Sequence, residues 1–203
     1  MIPLLWLWLV QGAGAPALEN EYVRVMRNAA PCASGIAPDC GDRVVVALGD
    51  VELRAGGARR RMTRGDIAVF TRGQSYEPPT GGPYFEVAIK ANHPPIAALR
   101  EFIPPEKNAV LHDGDRLFIF EERLAVGDTR ARHTHSQRVV IQLNRTRLQQ
   151  WPEGEPEVTR DIEPDRVGFN PAVIHTVKNV GELPLRGIVI ELKGPGPRPQ
   201  DRH

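Results

Sequence analysis

A chain of 203 residues is long enough for one large domain or two small ones. Hydrophobic residues make up 41% of it and charged residues 25%, a balance that is typical of globular proteins and excludes a disordered or fibrous one. The 26 Lys and Arg residues nearly cancel the 25 Asp and Glu residues, so neither nucleic acid nor a membrane surface is an expected partner.

The amino-terminal residues have the pattern of an export signal. An apolar run from Leu4 to Val10 precedes an A-x-A sequence at 13–15, of the kind that signal peptidase cuts. We therefore expect a signal peptide over residues 1–15 and a periplasmic or secreted protein. Because no Lys or Arg precedes Arg24, an edge strand and a cytoplasmic protein are the alternatives. Seven apolar residues are too few for a membrane span, which needs about 20 in a helix.

The only two cysteines, Cys32 and Cys40, would close a short loop if they were oxidised. An exported protein can form such a disulfide. Two small buried thiols are the alternative, and the sequence leaves both open because bridge geometry depends on the Cα separation in the fold.

The chain contains an internal repeat. Residues 42–53 (DRVVVALGDVEL) align without a gap to residues 137–148 (QRVVIQLNRTRL), and residues 64–70 match the shape of residues 163–169. The segments in both halves are short, rich in Val and Ile, and separated by Gly, Pro, Asp or Asn, which predicts strands joined by turns. We therefore predict two all-β units, each a sandwich or a barrel.

Five segments follow from this division of the chain. After the signal peptide we place a first barrel at 19–92, a linker or short helix at 93–112, a second barrel at 113–194 and a flexible Pro- and Gly-rich tail at 195–203. The best helical candidate is PPIAALREFI at 94–103, between the two units.

Two histidines one residue apart mark a candidate site in the second unit. Alternate residues of a strand share a face, so His133 and His135 point the same way and can hold one ion together. A later strand, which follows the turn at Asn170-Pro171, contains a third histidine, His175. By the same alternation, Arg132 and Arg138 are out of phase with the histidines and are predicted to point outward.

The spacing of these residues resembles the two motifs of the cupin superfamily. Gly127, five residues, His133, one residue and His135 match G-x5-H-x-H. His175, three residues and Asn179 match H-x3-N, and the repeat extends the resemblance over nearly the whole chain. The resemblance implies a bicupin, an all-β protein of two cupin-type (jelly-roll) β-barrels in tandem, with a divalent metal ion bound by the second.

The ligand set departs from the family pattern in one respect. The usual Glu would fall at Val139 or Val140, where no carboxylate stands. Counted back from the turn that follows, Gln137 takes the Glu-like place and is the candidate fourth ligand beside the three histidines. Imidazole-rich sites suit Fe, Mn, Zn, Ni or Cu, so the identity of the metal stays open.

The first unit lacks these ligands. Pro38 and Cys40 stand where the histidine pair would be, and Tyr76 falls opposite the third histidine. We predict a degenerate first barrel that packs against the second. A metal site at Cys40 and Asp42 is the alternative.

Three functions are compatible with this picture. The resemblance implies most often a metal-dependent oxidoreductase of the dioxygenase kind that acts on a small organic molecule. The alternatives are a non-catalytic module that binds or stores a small molecule and a metal-dependent isomerase or lyase of a sugar or keto acid. The expected partners are a small-molecule ligand or substrate and a second copy of the chain in a homodimer, and no catalytic base beyond the ligands can be named.

Overall fold

The computed structural model describes residues 14–104, 106 and 108–194. The predicted tail and all but the last two residues of the predicted signal peptide lie outside the described residues. In the described part of the chain no helix is long and apolar enough to cross a membrane.

Seventeen strands make up the secondary structure of the described residues. They are β1 (Leu18–Glu19), β2 (Val23–Arg27), β3 (Cys40–Ala47), β4 (Val51–Ala55), β5 (Ala58–Met62), β6 (Ile67–Phe70), β7 (Glu77–Thr80), β8 (Tyr84–Lys90), β9 (Asn108–Asp113), β10 (Leu117–Leu124), β11 (Thr129–His135), β12 (Arg138–Gln142), β13 (Thr146–Pro152), β14 (Val158–Ile162), β15 (Val167–Asn170), β16 (Val173–Asn179) and β17 (Leu185–Leu192).

The strands form two barrels, each made of two antiparallel sheets. In the first barrel a five-stranded sheet of order β1-β2-β8-β3-β6 accompanies a three-stranded sheet of order β5-β4-β7. In the second barrel the orders are β15-β12-β17-β10-β9 and β11-β16-β13-β14. The predicted all-β fold of two barrels in tandem is confirmed.

The internal repeat is visible in the strand pairing. Val44 of β3 pairs with both β6 and β8, just as Val139 of β12 pairs with both β15 and β17. These two valines are equivalent in the aligned repeat, so equivalent residues occupy equivalent central strands of the two barrels.

Both faces of these central strands are covered. All eight residues of β3 are buried, because Val45 and Ala47 face the interior of the first barrel while Val44 and Val46 face the second barrel. A continuous apolar run such as VVVA, at 44–47, is typical of a strand buried on both faces. The two five-stranded sheets thus pack against each other through one shared core.

The segment between the barrels differs from the prediction. Residues 94–103 form neither a helix nor a strand and serve as a connector, and residues 108–112 of the predicted linker belong to β9, which pairs with β10. The helix prediction was wrong: Ile96 is buried in the core between the barrels, and Phe102 is buried without belonging to that core, so the two do not form one apolar face of a helix. The backbone of the connector also finds a partner outside a helix, since Thr134 N–H donates to Ile103 O at 3.0 Å.

The first barrel carries a disulfide bond where the second carries histidines. Cys32 and Cys40 are bonded, with their Cα atoms 5.7 Å apart, which answers the question that the sequence left open. The alternative metal site at Cys40 and Asp42 is excluded, since a disulfide sulfur is no thiolate ligand. Tyr76 is buried, stacks on Phe70 and donates its hydroxyl hydrogen to Glu86.

Candidate metal centre

The histidine pair lies on β11 next to a β-bulge. Arg130 pairs with Val177 across the sheet and His133 pairs with His175, so β11 has one residue more than β16 between these two positions. A bulge of this kind re-aims the side chains that follow it. As a result Arg130 and His133 are both buried although they are three residues apart.

The three predicted histidines meet inside the second barrel. His133 and His175 lie directly opposite each other on β11 and β16, with ring centroids 4.5 Å apart. His135, two residues along β11, has its ring centroid 5.2 Å from that of His175. One nitrogen of each ring lies within 4.8 Å of the others, and all three side chains are buried.

The hydrogen bonds of the pair define which nitrogen of each ring is free. His133 Nδ1 lies 2.8 Å from Ala131 O, and His135 Nδ1 lies 2.5 Å from Glu191 Oε1. Carbonyl and carboxylate oxygens accept, so both Nδ1 atoms donate and both Nε2 atoms carry lone pairs. These two Nε2 atoms are only 3.0 Å apart.

Burial keeps the three rings neutral. It lowers the pKa of His133 to about 4, against the smaller opposing effect of the hydrogen bond to Ala131. It also lowers the pKa of His135 and of His175 well below the ordinary value, and the cationic Arg138 acts in the same direction on all three. Neutral imidazole is the form that binds a metal ion.

The site fits a transition-metal ion. Among the described residues no hydrogen-bond partner faces the buried Nε2 of His175, and such an orphaned atom is costly unless a ligand satisfies it. Two nitrogen ligands about 2.0–2.1 Å from one ion lie roughly 3 Å apart, close to the separation of the Nε2 atoms of His133 and His135. A positive ion would therefore accept the lone pairs of His133 and His135 and would give Nε2 of His175 the partner that it lacks.

Two charged residues of the site, Glu191 and Arg138, were not predicted from the sequence. Glu191, on the last strand β17, accepts the hydrogen bond from His135 and a longer one of 3.4 Å from Ser136 Oγ. Arg138 was predicted to point outward, but it is 8% exposed and donates to Pro171 O at 2.8 Å. A charged residue inside an apolar strand, as Glu191 is in GIVIEL, was the signal that could have identified it.

The prediction for Arg138 failed because the chain turns between β11 and β12. The residues at 136–137 belong to neither strand, so the alternation of β11 does not continue into β12. In β12, Val139 and Ile141 face the first barrel, which leaves Arg138 and Val140 on the interior face. Arg132 does point outward as predicted, and it pairs with Glu101 and Glu153.

Gln137 precedes β12 by one residue, and by strand alternation its side chain is on the same face as Val139 and Ile141, which contact the first barrel. Its Nε2 donates to the hydroxyl of Tyr22 at 3.4 Å, and no partner within the described residues meets its buried Oε1. Its role as a fourth ligand stays a prediction.

A cleft of about 290 Å³ adjoins the site. It is bordered by Thr134 and His135 of β11, by Val173 of β16 and by connector residues 98–100. Two ion pairs, Arg100 with Glu153 and Arg132 with Glu101, fasten the connector beside it.

Fold and site together define a two-barrel protein with a buried three-histidine centre that can hold a metal ion in the second barrel. No protein-family model and no curated protein matches the chain. Solved structures do match, and several of them cover more than four-fifths of the chain.

Three of these structures extend over both barrels. A cupin 2 conserved barrel domain protein from Leptotrichia buccalis is 13% identical with a TM-score of 0.51, over 87% of this chain and 86% of that one. AerE from Microcystis aeruginosa is 17% identical with a TM-score of 0.51, over 84% and 87%. A salicylate 1,2-dioxygenase variant from Pseudoaminobacter salicylatoxidans in complex with gentisate is 11% identical with a TM-score of 0.50, over 83% and 68%.

At identities of 11–17%, the likeness to these structures shows the fold of the chain and nothing beyond it. The chain has the cupin fold, with two cupin barrels in tandem, as the motifs predicted.

Proposed function

We propose that the second barrel binds one divalent transition-metal ion and that the protein is an oxidoreductase of the dioxygenase kind acting on a small organic molecule. The observation that carries this proposal is the convergence of three buried, neutral imidazoles, His133, His135 and His175. The fold likeness to a salicylate 1,2-dioxygenase in complex with gentisate supports the choice of reaction class.

A metal ion in this position would supply Lewis acidity and, if redox-active, electron transfer to O2. The protein supplies a dry and rigid surrounding. Phe120 lies nearly parallel to the ring of His135, with centroids 6.0 Å apart, and covers it from the barrel interior. The cleft beside His135 is the approach that we propose for the substrate.

The charges around the site favour an anionic substrate. The three histidines are neutral, and the negative charge of Glu191 faces the positive charge of Arg138, whose pKa is lowered by burial and in part restored by Glu191. A bound divalent ion would therefore keep most of its charge, in a pocket where an uncompensated charge is costly. We propose a small organic acid with oxygen donors as the substrate class.

Metal content tests the first half of the proposal. We expect close to one transition-metal ion per chain, by mass spectrometry, in protein that lacks residues 1–15. A His133→Ala/His175→Ala variant is expected to lose it, whereas a His93→Ala/His112→Ala variant, which removes two histidines outside the site, is expected to retain it. If no protein holds metal even after reconstitution, the metal-binding proposal fails.

Oxygen consumption tests the second half. Metal-loaded protein is incubated with a panel of aromatic and aliphatic hydroxy acids in an oxygen-electrode cell, and the histidine double variant serves as the blank. Binding of a panel member without oxygen uptake would favour the second candidate, a binding module without turnover. The observation in favour of that candidate is the first barrel, where a disulfide stands in place of ligands.

We also propose that the protein works in the periplasm or outside the cell. The disulfide supports this location, because such bonds persist mainly in oxidising compartments. The homodimer stays a prediction.

A further inference from the structure

A buried carboxylate contacts the histidine centre from outside the set of ligands. Glu191 is 2% exposed and lies near the end of β17, the central strand of its sheet. Its neighbours Ile190 and Leu192 face the first barrel, so the carboxylate points into the second. We propose that Glu191 is a positioning residue, which fixes the tautomer and ring orientation of His135 so that Nε2 faces the metal ion. This inference rests on the metal binding proposed above.

The position of Glu191 has a cost that its contacts must offset. An isolated carboxylate in an apolar interior is expensive, and buried carboxylates persist where charge and hydrogen bonds compensate them. The compensating groups include His135 Nδ1–H at 2.5 Å, Ser136 Oγ at 3.4 Å and the charge of Arg138, the cross-strand neighbour of Glu191. All three groups lie at or next to the histidine centre.

The contact determines the chemistry of His135. A carboxylate can only accept a hydrogen bond, so Nδ1 must carry the proton and the lone pair must be on Nε2. That is the nitrogen that lies 3.0 Å from Nε2 of His133. A carboxylate behind a ligating histidine also raises the basicity of the ring, and loss of such a partner costs about 10- to 100-fold in metal affinity.

The site has a buried carboxylate although the first motif lacks one. Val139, one of the two places where the family pattern would put a Glu ligand, is fully buried and faces the first barrel. Glu191 brings a carboxylate to the site from β17 instead, where it acts through His135.

The first barrel offers a matched control. Glu86 lies on β8, which pairs with β3 as β17 pairs with β12, and it is likewise buried. Its carboxylate accepts from Tyr76 and from Cys32 N–H, away from the histidines. Replacing Glu86 removes a buried carboxylate of the same kind without touching the metal centre.

The affinity experiment compares Glu191→Ala, Glu191→Gln and Glu86→Gln in the full chain. Zn²⁺ affinity is measured by competition with a chromophoric chelator, and the visible absorption of the Co²⁺ form reports the ligand geometry. We expect Glu191→Ala to weaken binding by about 10- to 100-fold and to change the Co²⁺ spectrum. Glu191→Gln is expected to restore part of the affinity, because its amide oxygen can accept the same hydrogen bond, and Glu86→Gln to bind within about twofold of wild type. Unchanged affinity and spectrum in Glu191→Ala would overturn the proposal.

A second measurement requires no metal. Long-range ¹H–¹⁵N NMR correlations of the imidazole rings distinguish the Nδ1–H from the Nε2–H tautomer in metal-free protein. We expect His135 to be Nδ1–H in wild type and in Glu191→Gln, and a mixture in Glu191→Ala. An Nε2–H tautomer in wild type would overturn the positioning role. An Nδ1–H tautomer in a protein that binds no metal would overturn the proposed function and leave the tautomer assignment standing.

Discussion

The side-chain amide of Asn179 makes four hydrogen bonds while the residue is 0% exposed. Its Nδ2 donates to Leu124 O at 3.0 Å and to Leu183 O at 2.9 Å. Its Oδ1 accepts from Thr146 Oγ1 at 2.8 Å and from Gly181 N–H at 3.0 Å. The Asn of the H-x3-N motif therefore holds together the turn after β16 and the ends of β10 and β13, and its role is structural.

We predict that Asn179→Ala lowers the free energy of unfolding by about 3–5 kcal/mol, because several buried polar groups lose their partner at a cost of about 1–3 kcal/mol each. Asn179→Asp is expected to be at least as harmful, since a carboxylate would face the carbonyl oxygens of Leu124 and Leu183. Urea unfolding measures both, with the exposed Glu182→Ala as control. A loss below about 1 kcal/mol in Asn179→Ala would contradict the structural role.

The histidine centre makes the metal-free protein sensitive to acid. The pKa of His133 is lowered from 6.5 to about 4 in the folded protein. Between these values the unfolded chain takes up a proton that the folded chain does not, so the free energy of unfolding falls as the pH falls. From pH 7.5 to pH 5 this amounts to about 2 kcal/mol for His133, and the lowered pKa values of His135 and His175 act in the same direction.

Urea unfolding of chelator-treated protein at these two pH values tests the acid sensitivity. A His133→Gln/His175→Gln variant isolates the histidine contribution from that of all other groups, and its stability is expected to change less with pH than that of wild type. Equal pH dependence in the two proteins would mean that the rings are not buried in their neutral form.

At the residue scale, strand alternation was sufficient to predict that His133 and His135 share a face, because both lie within one strand. The same rule failed for Arg138, which lies beyond a turn that the spacing did not reveal. Glu191 was missed because its contact with His135 spans 56 residues of sequence and no motif connects them. Local periodicity thus found the candidate ligands but not the groups that surround them.

At the scale of elements, the disulfide fastens the segment that replaces the histidine strand in the first barrel. Cys40 begins β3, and Cys32 N–H donates to the buried Glu86 at 3.2 Å. The bond closes a loop with a sequence separation of 8. The disulfide of the first barrel thus occupies the place that corresponds to the histidine centre of the second barrel, where a bound metal ion would link β11 and β16.

We predict that Cys32→Ser/Cys40→Ser lowers the free energy of unfolding by about 2–3 kcal/mol, since a loop of this length loses its entropic constraint in the unfolded chain. Metal content is expected to stay unchanged, because the histidines belong to the other barrel. Urea unfolding with and without a reductant provides the check: reductant is expected to lower the stability of wild type to that of the variant and to leave the variant unaffected. A wild type that is indifferent to reductant would contradict the prediction.

The structure of the connector could not be predicted from the sequence. Its apolar residues suggested a helix, but of the two that are buried, Ile96 and Phe102, only Ile96 belongs to the core between the barrels. The partner of the connector backbone, Thr134, is 31 residues away from Ile103 along the chain. Such a partner cannot be recognised before the fold is known.

At the scale of the whole molecule, the two barrels share a core. Buried residues of β2, β3 and β8 pack against buried residues of β10, β12 and β17 in one cluster. Polar contacts reinforce it: Arg64 of the first barrel donates to Leu143 O of the second at 2.9 Å and pairs with Asp165. Neither five-stranded sheet could be exposed alone without presenting an apolar face to water.

We therefore predict that both barrels unfold in one transition. The test uses protein without residues 1–15, where Trp151 is the only tryptophan, so its fluorescence reports on the second barrel. Leu53→Ala removes a buried side chain from the interior of the first barrel, and Leu148→Ala removes its counterpart in the second. Both changes leave a cavity and are each expected to lower the free energy of unfolding by about 2–5 kcal/mol.

In a cooperative molecule, Leu53→Ala lowers the urea midpoint of Trp151 fluorescence as Leu148→Ala does, although Leu53 belongs to the other barrel. Hydrogen exchange of peptides from β3 and β17 is expected to give the same free energy of opening for both barrels. If Leu53→Ala left the Trp151 transition in place and accelerated exchange in β3 alone, the barrels would be independent units. The shared core would then be an interface between domains that fold separately.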